Sequence, residues 1–283
     1  MKIGIVGTAE RAVAWERHLR PHRAISEVII APELNGLGEV DACILLNESD
    51  ERLQLVLQAI RQGYHTFLVS RIPTDRRTVE QIYHTAEEAN VMLQFSHWPT
   101  LAPASQWMSS KIPKPKFIHV IRELNYMTYM EQDVNFEDLW IDELAFCLKW
   151  MNGTVHQVDA RQIQLGSKQG FAMHLFLRFD SGATAVVFVD TTSDVTRHKR
   201  LGSNKTYITD CDVNSQTVRI GKLSMDKHLY FEKEQFDAAQ AAESAALQFI
   251  KAIQLGRPSL YNGYDALQLC TIIERVNQRL QRF

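Results

Sequence analysis

Several familiar signals are missing from this sequence, and each absence removes a class of function. No charge of one sign dominates: 31 lysines and arginines stand against 33 aspartates and glutamates, a formal net charge of -2. A balance so close to neutral gives no general field for holding nucleic acid or an anionic membrane. There is no C-x-x-C pair. The four cysteines, at 43, 147, 211 and 270, are dispersed, as expected of reduced, buried thiols in a cytoplasmic protein. Long apolar runs are missing too. The longest stretch without Asp, Glu, Lys or Arg, 89–110, is interrupted by Gln94, His97, Pro99, Pro103 and Gln106. A membrane span needs about 20 predominantly apolar residues, so this stretch is expected as folded interior and loop. Ile3 to Ala9, between Lys2 and Glu10, is too short for a signal-peptide core. His119, His156 and His174 fall in separate strands without paired ligand spacing, so no metal site is expected.

What is present is a chain of 283 residues, 45% hydrophobic, long enough for one large domain or two ordinary ones. Short β-rich runs at 2–6, 25–31, 40–46, 65–69 and 91–95 alternate with helical spacing at 12–20, around 53–60 and at 74–90. Such alternation predicts a parallel, doubly wound sheet. The rhythm changes at Lys111-Ile112-Pro113-Lys114-Pro115-Lys116, which suits a domain junction. Beyond it a helix around 136–151 is followed by strands at 155–164, 171–179, 183–191, 198–209, 216–223 and 227–232, with Asp180-Ser181-Gly182 as a hairpin turn. Helices at about 240–255 and 264–280 close the chain. The expected division is a reduced Rossmann-like domain at 1–110 and, at 111–283, an α/β domain with an open, mostly antiparallel sheet.

Gly7-Thr8-Ala9-Glu10-Arg11-Ala12 follows the first strand and opens a helix, the context in which backbone N–H groups face a pyrophosphate. Ala9 occupies the place of the middle glycine, which normally lets the ligand approach, and Glu10 adds a negative charge. The alternative is a plain strand-to-helix turn. Only Pro32 to Glu39 connect the second and third strands, too few residues for a helical crossover. Eight extended residues span roughly 26 Å at about 3.3 Å each, just enough to return beneath the sheet, so part of the adenosine half of a dinucleotide fold is missing. Glu33 stands where an acidic residue binds a ribose hydroxyl, or is a solvated loop carboxylate.

The sequence resembles the glucose–fructose oxidoreductase / inositol dehydrogenase / MocA (Gfo/Idh/MocA) family over nearly its whole length. The resemblance rests on Ile3-Gly4-Ile5-Val6-Gly7-Thr8, Val40-Asp41-Ala42-Cys43-Ile44 and Ala59-Ile60-Arg61-Gln62-Gly63-Tyr64-His65. It continues through Pro73, Ser96-His97, Ser181-Gly182-Ala183-Thr184, and Gly256-Arg257-Pro258 before Gly263-Tyr264-Asp265-Ala266-Leu267. It implies NAD or NADP as cofactor, hydride transfer at a sugar or polyol carbon, and homo-oligomers formed through the open sheet. The cofactor contacts it implies are Gly7, Thr8, Ala9, Glu10, Arg11, Glu33, Asn47 and Arg71.

The departures from that family are substantial. Its E-K-P motif corresponds to Arg71-Ile72-Pro73, so Ile72 stands at the lysine and Arg71, permanently charged, at the glutamate. Arg71 either holds an anion or pairs with a neighbouring acid. The family's aspartate and histidine, four apart on a helix, correspond to Leu139 and Glu143 when anchored on Lys149-Trp150. Glu143 is either a carboxylate base or part of an acidic helix surface with Glu137, Asp138 and Asp142. His97 is either a proton-transfer group or a structural histidine. Arg197-His198-Lys199-Arg200, with Lys205, is either an anion patch or a solvated strand that alternates between the faces of an antiparallel sheet. The expectation is a family fold with an eroded catalytic centre, binding a sugar-like ligand or a partner without efficient hydride transfer, with weak or lost NAD(P) binding. The alternative is an active NAD(P)-dependent oxidoreductase using Glu143 or His97. Apolar alternation at Phe171, Met173, Leu175, Leu177, Val187 and Val189 predicts an exposed sheet face and a homo-oligomer.

Overall fold

The computed structural model describes residues 1–132, 134–165, 170–224 and 226–281. In chain order the elements are β1 (Lys2–Val6), α1 (Ala9–Leu19), β2 (Glu27–Ala31), β3 (Ala42–Leu45), α2 (Arg52–Arg61), β4 (His65–Leu68), α3 (Arg76–Glu88), β5 (Leu93–Phe95) and α4 (Trp98–Leu101). They continue with α5 (Pro103–Lys111), β6 (Phe117–Asn125), α6 (Tyr126–Glu131), α7 (Phe136–Met151), β7 (Val155–Leu165), β8 (Gly170–Phe179) and β9 (Thr184–Ser193). The last are β10 (Arg197–Ser203), β11 (Tyr207–Asp212), β12 (Thr217–Leu223), β13 (Leu229–Gln235), α8 (Ala241–Leu255) and α9 (Gly263–Leu280). No helix among the described residues is long and apolar enough to cross a membrane.

The chain forms two compact units, Met1–Leu101 with Ala239–Cys270, and Ala102–Ala238 with Thr271–Phe283. A single break at 110 is therefore replaced by a crossing back. The physical reason is the apolar face of α8: Ala245, Ala246, Phe249 and Ile250 are buried with Ile3, Ile5, Trp15 and Phe67 in the first unit's core.

In the first unit the strands run parallel in the order β2-β1-β3-β4-β5. Covered on both faces, such strands read as continuous apolar runs, and every residue of Ala42–Leu45 is buried. Helix α1 adds Ala12, Trp15 and Leu19, spaced to lie on one face. Burying a side chain such as Phe67 contributes about 1.5–3 kcal/mol. The short connection from β2 to β3 holds one 3-10 turn, Leu34–Gly36, and passes over β1. Leu37 is laid so close to β1 that a Cβ on Gly4 would stand 2.5 Å from its Cδ1. A glycine in the strand is what allows a loop to do a helix's covering work.

In the second unit the sheet order is β13-β12-β11-β10-β6-β9-β8-β7, with β6 and β9 parallel and every other neighbouring pair antiparallel. Helix α7 packs against β6 and β9. It starts at Asn135, whose side chain accepts from the Glu137 N–H, and stops at the left-handed Asn152. Trp150 fills the place where Gly202 of β10 has no side chain, and its indole donates to Ile112 O at 2.8 Å.

Three expectations need correction. The stretch 98–111 is not loop but α4 and α5, with Pro103 in the first turn of α5. The single strand at 198–209 is two, β10 and β11, because Asn204 Oδ1 accepts from Thr206 and Tyr207 N–H groups and turns the chain. Met173, Leu175, Leu177, Val187 and Val189 are buried, so they belong to the covered face. The opposite face carries Phe176, Val186, Phe188, Ile121 and Leu201, half-buried, with Phe117 and Ile208 exposed.

Candidate functional site

The first unit gathers most of the candidate residues along one edge. Gly7 follows β1, Glu33 follows β2, Asn47 follows β3, Arg71 follows β4 and His97 follows β5, all past the carboxyl ends of parallel strands. In open α/β sheets ligands bind at that edge, next to the point where the strand order reverses, here between β1 and β3. Thr8 is the N-cap residue of α1, with no side-chain cap bond, and Glu10 lies in the first helical turn. A Cβ on Gly7 would stand 2.8 Å from Leu46 Cβ, so packing alone accounts for this glycine. Arg11 pairs with Glu48 at 3.0 Å. Glu33 is exposed. Asn47 Oδ1 accepts from the Ser49 N–H at 2.8 Å, shaping the loop after β3. The Ser96 hydroxyl donates to Ser70 O and accepts from Ser70 N, tying the ends of β4 and β5 beside Arg71, which is exposed.

His97 is 1% exposed. Its Nδ1 lies 2.8 Å from Thr100 Oγ1, its carbonyl accepts from Thr100 and Leu101, and its ring packs on Tyr261. These contacts are those of a residue that starts α4.

The second unit holds a different kind of centre between α7 and the sheet. Glu143 is fully buried, with Arg200 Nε 2.9 Å from Oε2 and Arg200 Nη2 2.9 Å from Oε1. His198 Nε2 is 2.9 Å from Oε1 and Arg122 Nη1 is 3.4 Å from it. Arg200, also fully buried, donates to Ser105 Oγ at 3.0 Å and lies over the Phe146 ring. Burial pushes the Glu143 pKa up, but Arg200 and His198 outweigh it and hold the carboxyl well below its usual range. For His198 burial lowers the pKa, partly offset by Glu143. At Asp142 burial raises the pKa to about 6 against the pull of Arg122.

Two expectations fail here. Glu143 is not on an acidic surface, although Glu137 is exposed. The 197–200 run does alternate between faces, but it is not solvated throughout: Arg197 is exposed while β10 sends Arg200 inward. The residues that sequence reasoning missed are His198, Arg200 and Arg122. The available signal was period two, since His198, Arg200 and Gly202 share a face. Among the described residues no group of three or more His, Cys, Asp or Glu side chains is arranged to hold a metal ion.

Compared with protein-family models and with curated proteins, the sequence gives no match. Solved structures are similar in fold. UDP-N-acetylglucosamine 3-dehydrogenase GnnA from Acidithiobacillus ferrooxidans superimposes with a TM-score of 0.82 at 15% identity, covering 100% of this chain and 98% of its own. An NAD binding oxidoreductase from Klebsiella pneumoniae gives 0.81 at 13% identity, covering 99% and 96%. An oxidoreductase from Agrobacterium radiobacter in complex with NAD+, L-tartaric acid and magnesium gives 0.81 at 12%, again covering 99% and 96%. The chain has the Gfo/Idh/MocA-type dehydrogenase fold. The position that the sequence resemblance assigns to the lysine is Ile72, 8% exposed, and those it assigns to the helix pair are Leu139 and Glu143, 2% and 0% exposed. The fold shared with these dehydrogenases thus carries apolar or sealed side chains at those three positions.

Proposed function

We propose that this chain is a Gfo/Idh/MocA-type protein with an eroded catalytic centre, binding a small ligand without efficient hydride transfer. The burial of Glu143 in a two-point pair with Arg200 carries the reading. A general base must reach the proton it takes and hold a pKa near the working pH. Glu143 is sealed and held far below that range, and Ile72 has no group to exchange.

The edge formed by Gly7 to Arg11, Glu33, Asn47 and Arg71 does not fit NAD or NADP well. The Ala9 methyl and the Glu10 carboxylate stand in the first turn of α1, and Arg11 is engaged by Glu48. No catalytic step is derived through either cofactor. The experiment is calorimetric titration with NAD(H) and NADP(H), followed by assays with sugars and polyols. The expected result is weak or absent cofactor binding and no turnover, unchanged in Ile72→Lys. Micromolar binding with robust turnover abolished in Glu143→Gln or His97→Ala overturns it.

The second reading, an active NAD(P)-dependent oxidoreductase of a sugar-like or polyol substrate, is favoured by one observation. The candidate cofactor residues do gather at the carboxyl edge of the parallel sheet.

We further propose a cytoplasmic homo-oligomer associating through the outer face of the eight-stranded sheet. Phe176, Val186, Phe188, Ile121 and Leu201 support it, being half-buried on one face. Light scattering at micromolar concentration tests it, and a monodisperse monomer counts against it.

A further inference from the structure

The polar centre of the second unit is more than is needed to neutralise a charge. Arg200 and Glu143 already cancel each other in a buried two-point pair. Around that pair stand His198, Arg122 and Asp142, whose side chains keep 13%, 21% and 33% of their exposure. This outer layer reaches solvent. His198 and Arg122 are directly opposite each other on β10 and β6, a placement that sets their Cβ atoms about 4.5–5.5 Å apart.

Their free atoms differ in kind. Glu143 is ionised and accepts from several donors, so the proton of a neutral His198 sits on Nε2, facing Oε1 at 2.9 Å. A carboxylate that fixes a histidine tautomer in this way leaves Nδ1 as a lone pair, aimed away from it. Among the described residues Nδ1 makes no hydrogen bond. Every hydrogen bond of Arg122 among the described residues is made by Nη1, to Leu139 O at 3.1 Å, Asp142 at 3.5 Å and Glu143 at 3.4 Å. Nε and Nη2 remain as donors on a planar guanidinium, the geometry that matches a carboxylate. Asp142 meets Arg122 at Nη1, at 3.5 Å.

We propose that Arg122 and His198 form a binding site for a small hydroxycarboxylate. The carboxylate lies on the free guanidinium edge, and the neighbouring hydroxyl donates to His198 Nδ1. This deepens the ligand-binding reading above and rests on it. Open-chain hydroxy acids and sugar acids share the chemistry.

The test is calorimetric titration of the whole chain with L-malate and D-glucuronate, using succinate and D-glucose as partners lacking the hydroxyl or the carboxylate. The expected result is binding of malate, glucuronate or both, with succinate and glucose each weaker by about tenfold or more. Malate alone identifies an open-chain acid as the source, glucuronate alone a sugar acid. Arg122→Gln should lose about tenfold or more in affinity, Arg122→Lys should recover part of it, and Arg219→Gln, an exposed arginine of β12, should change nothing. If Arg122→Gln does not fold, nitrogen NMR of the unaltered protein decides, with the His198 Nδ1 signal assigned by His198→Gln. It should shift with the bound acid and not with succinate.

Failure of both acids to bind at millimolar concentration, equal binding of glucose, or full affinity in folded Arg122→Gln overturns the site. Absorbance at the nicotinamide band in the same samples separates the two readings. Turnover of a bound acid overturns the eroded centre and leaves the site standing. No binding and no turnover does the reverse.

Discussion

The two units bury their interiors by different means. Beneath the parallel sheet the core is apolar, with Ile3, Ile5, Leu19, Ile44, Phe67 and Phe249 contributing by area alone. Beneath α7 the second unit buries Glu143 and Arg200 at 0% exposure among Phe146, Cys147 and Cys211. An apolar core is forgiving of the partner a side chain meets; an ionic one is not. Removing one member of a buried pair strands the other, whereas replacing both with apolar groups is often neutral or stabilising.

The largest effect expected follows from that asymmetry. Glu143→Ala should cost about 3–5 kcal/mol, because Arg200 keeps its charge without its partner. The double change Glu143→Leu with Arg200→Met should recover most of the loss. Urea unfolding of the three variants checks this, and a single-variant loss under about 1 kcal/mol would show that the pair is not what holds α7 to β10.

The matching probe in the first unit acts through shape alone. Gly4→Ala places a methyl against Leu37, whose Cδ1 would be 2.5 Å away. Overpacking of this kind costs about 1–3 kcal/mol, and pairing it with Leu37→Ala should return part of that. If Gly4→Ala is neutral, the loop from β2 to β3 is not pinned where it lies.

The same contrast explains which features were legible in the sequence. Helix α1, the strands Lys2–Val6 and Ala42–Leu45, and the turn at Asp180 to Gly182 are set by local period and turn chemistry, so they could be read directly. So could the shortened crossover, from length alone. The destination of Arg200 and Glu143 was not local. Whether an arginine in a strand is solvated depends on what the opposing helix places above it, and Glu143 is 57 residues away. The helices α4 and α5 were obscured by Pro99 and Pro103, although a proline in the first turn of a helix is favourable. The edge residues Gly7, Glu33, Asn47 and Arg71 were placed together because a parallel sheet puts every loop that leaves a strand at the same end.

A third outcome concerns pH. His198 binds its proton less tightly folded than its ordinary value of 6.5. Below that value the unfolded chain holds the extra proton, so stability from this group falls as pH drops from 7.5 through 6.5. Asp142 acts in the opposite sense. Its pKa is about 6 folded against 3.8 ordinarily, so between those values the folded form takes up a proton and gains stability as pH falls. Melting midpoints between pH 7.5 and 5 should therefore fall less in His198→Gln than in the unaltered protein, and fall more in Asp142→Asn. Parallel curves for all three would remove His198 and Asp142 from the pH response.

The smallest effect expected lies at the turn after β1. Glu10 occupies the first turn of α1, where a negative charge faces the positive end of the helix dipole and contributes about 0.3–1 kcal/mol. A dinucleotide phosphate brought to this helix start would meet the same negative charge. Glu10→Gln should therefore lower stability by a few tenths of a kcal/mol while raising affinity for NAD+ or for inorganic pyrophosphate, with the gain shrinking as salt is added. Opposite signs in one variant are hard to obtain from a merely structural residue. If stability falls and affinity does not move, the Ala9 methyl and the shortened β2–β3 connection are the stronger barriers to cofactor binding. Ala9→Gly in the same background then separates the two, since it removes the methyl and leaves the connection as it is.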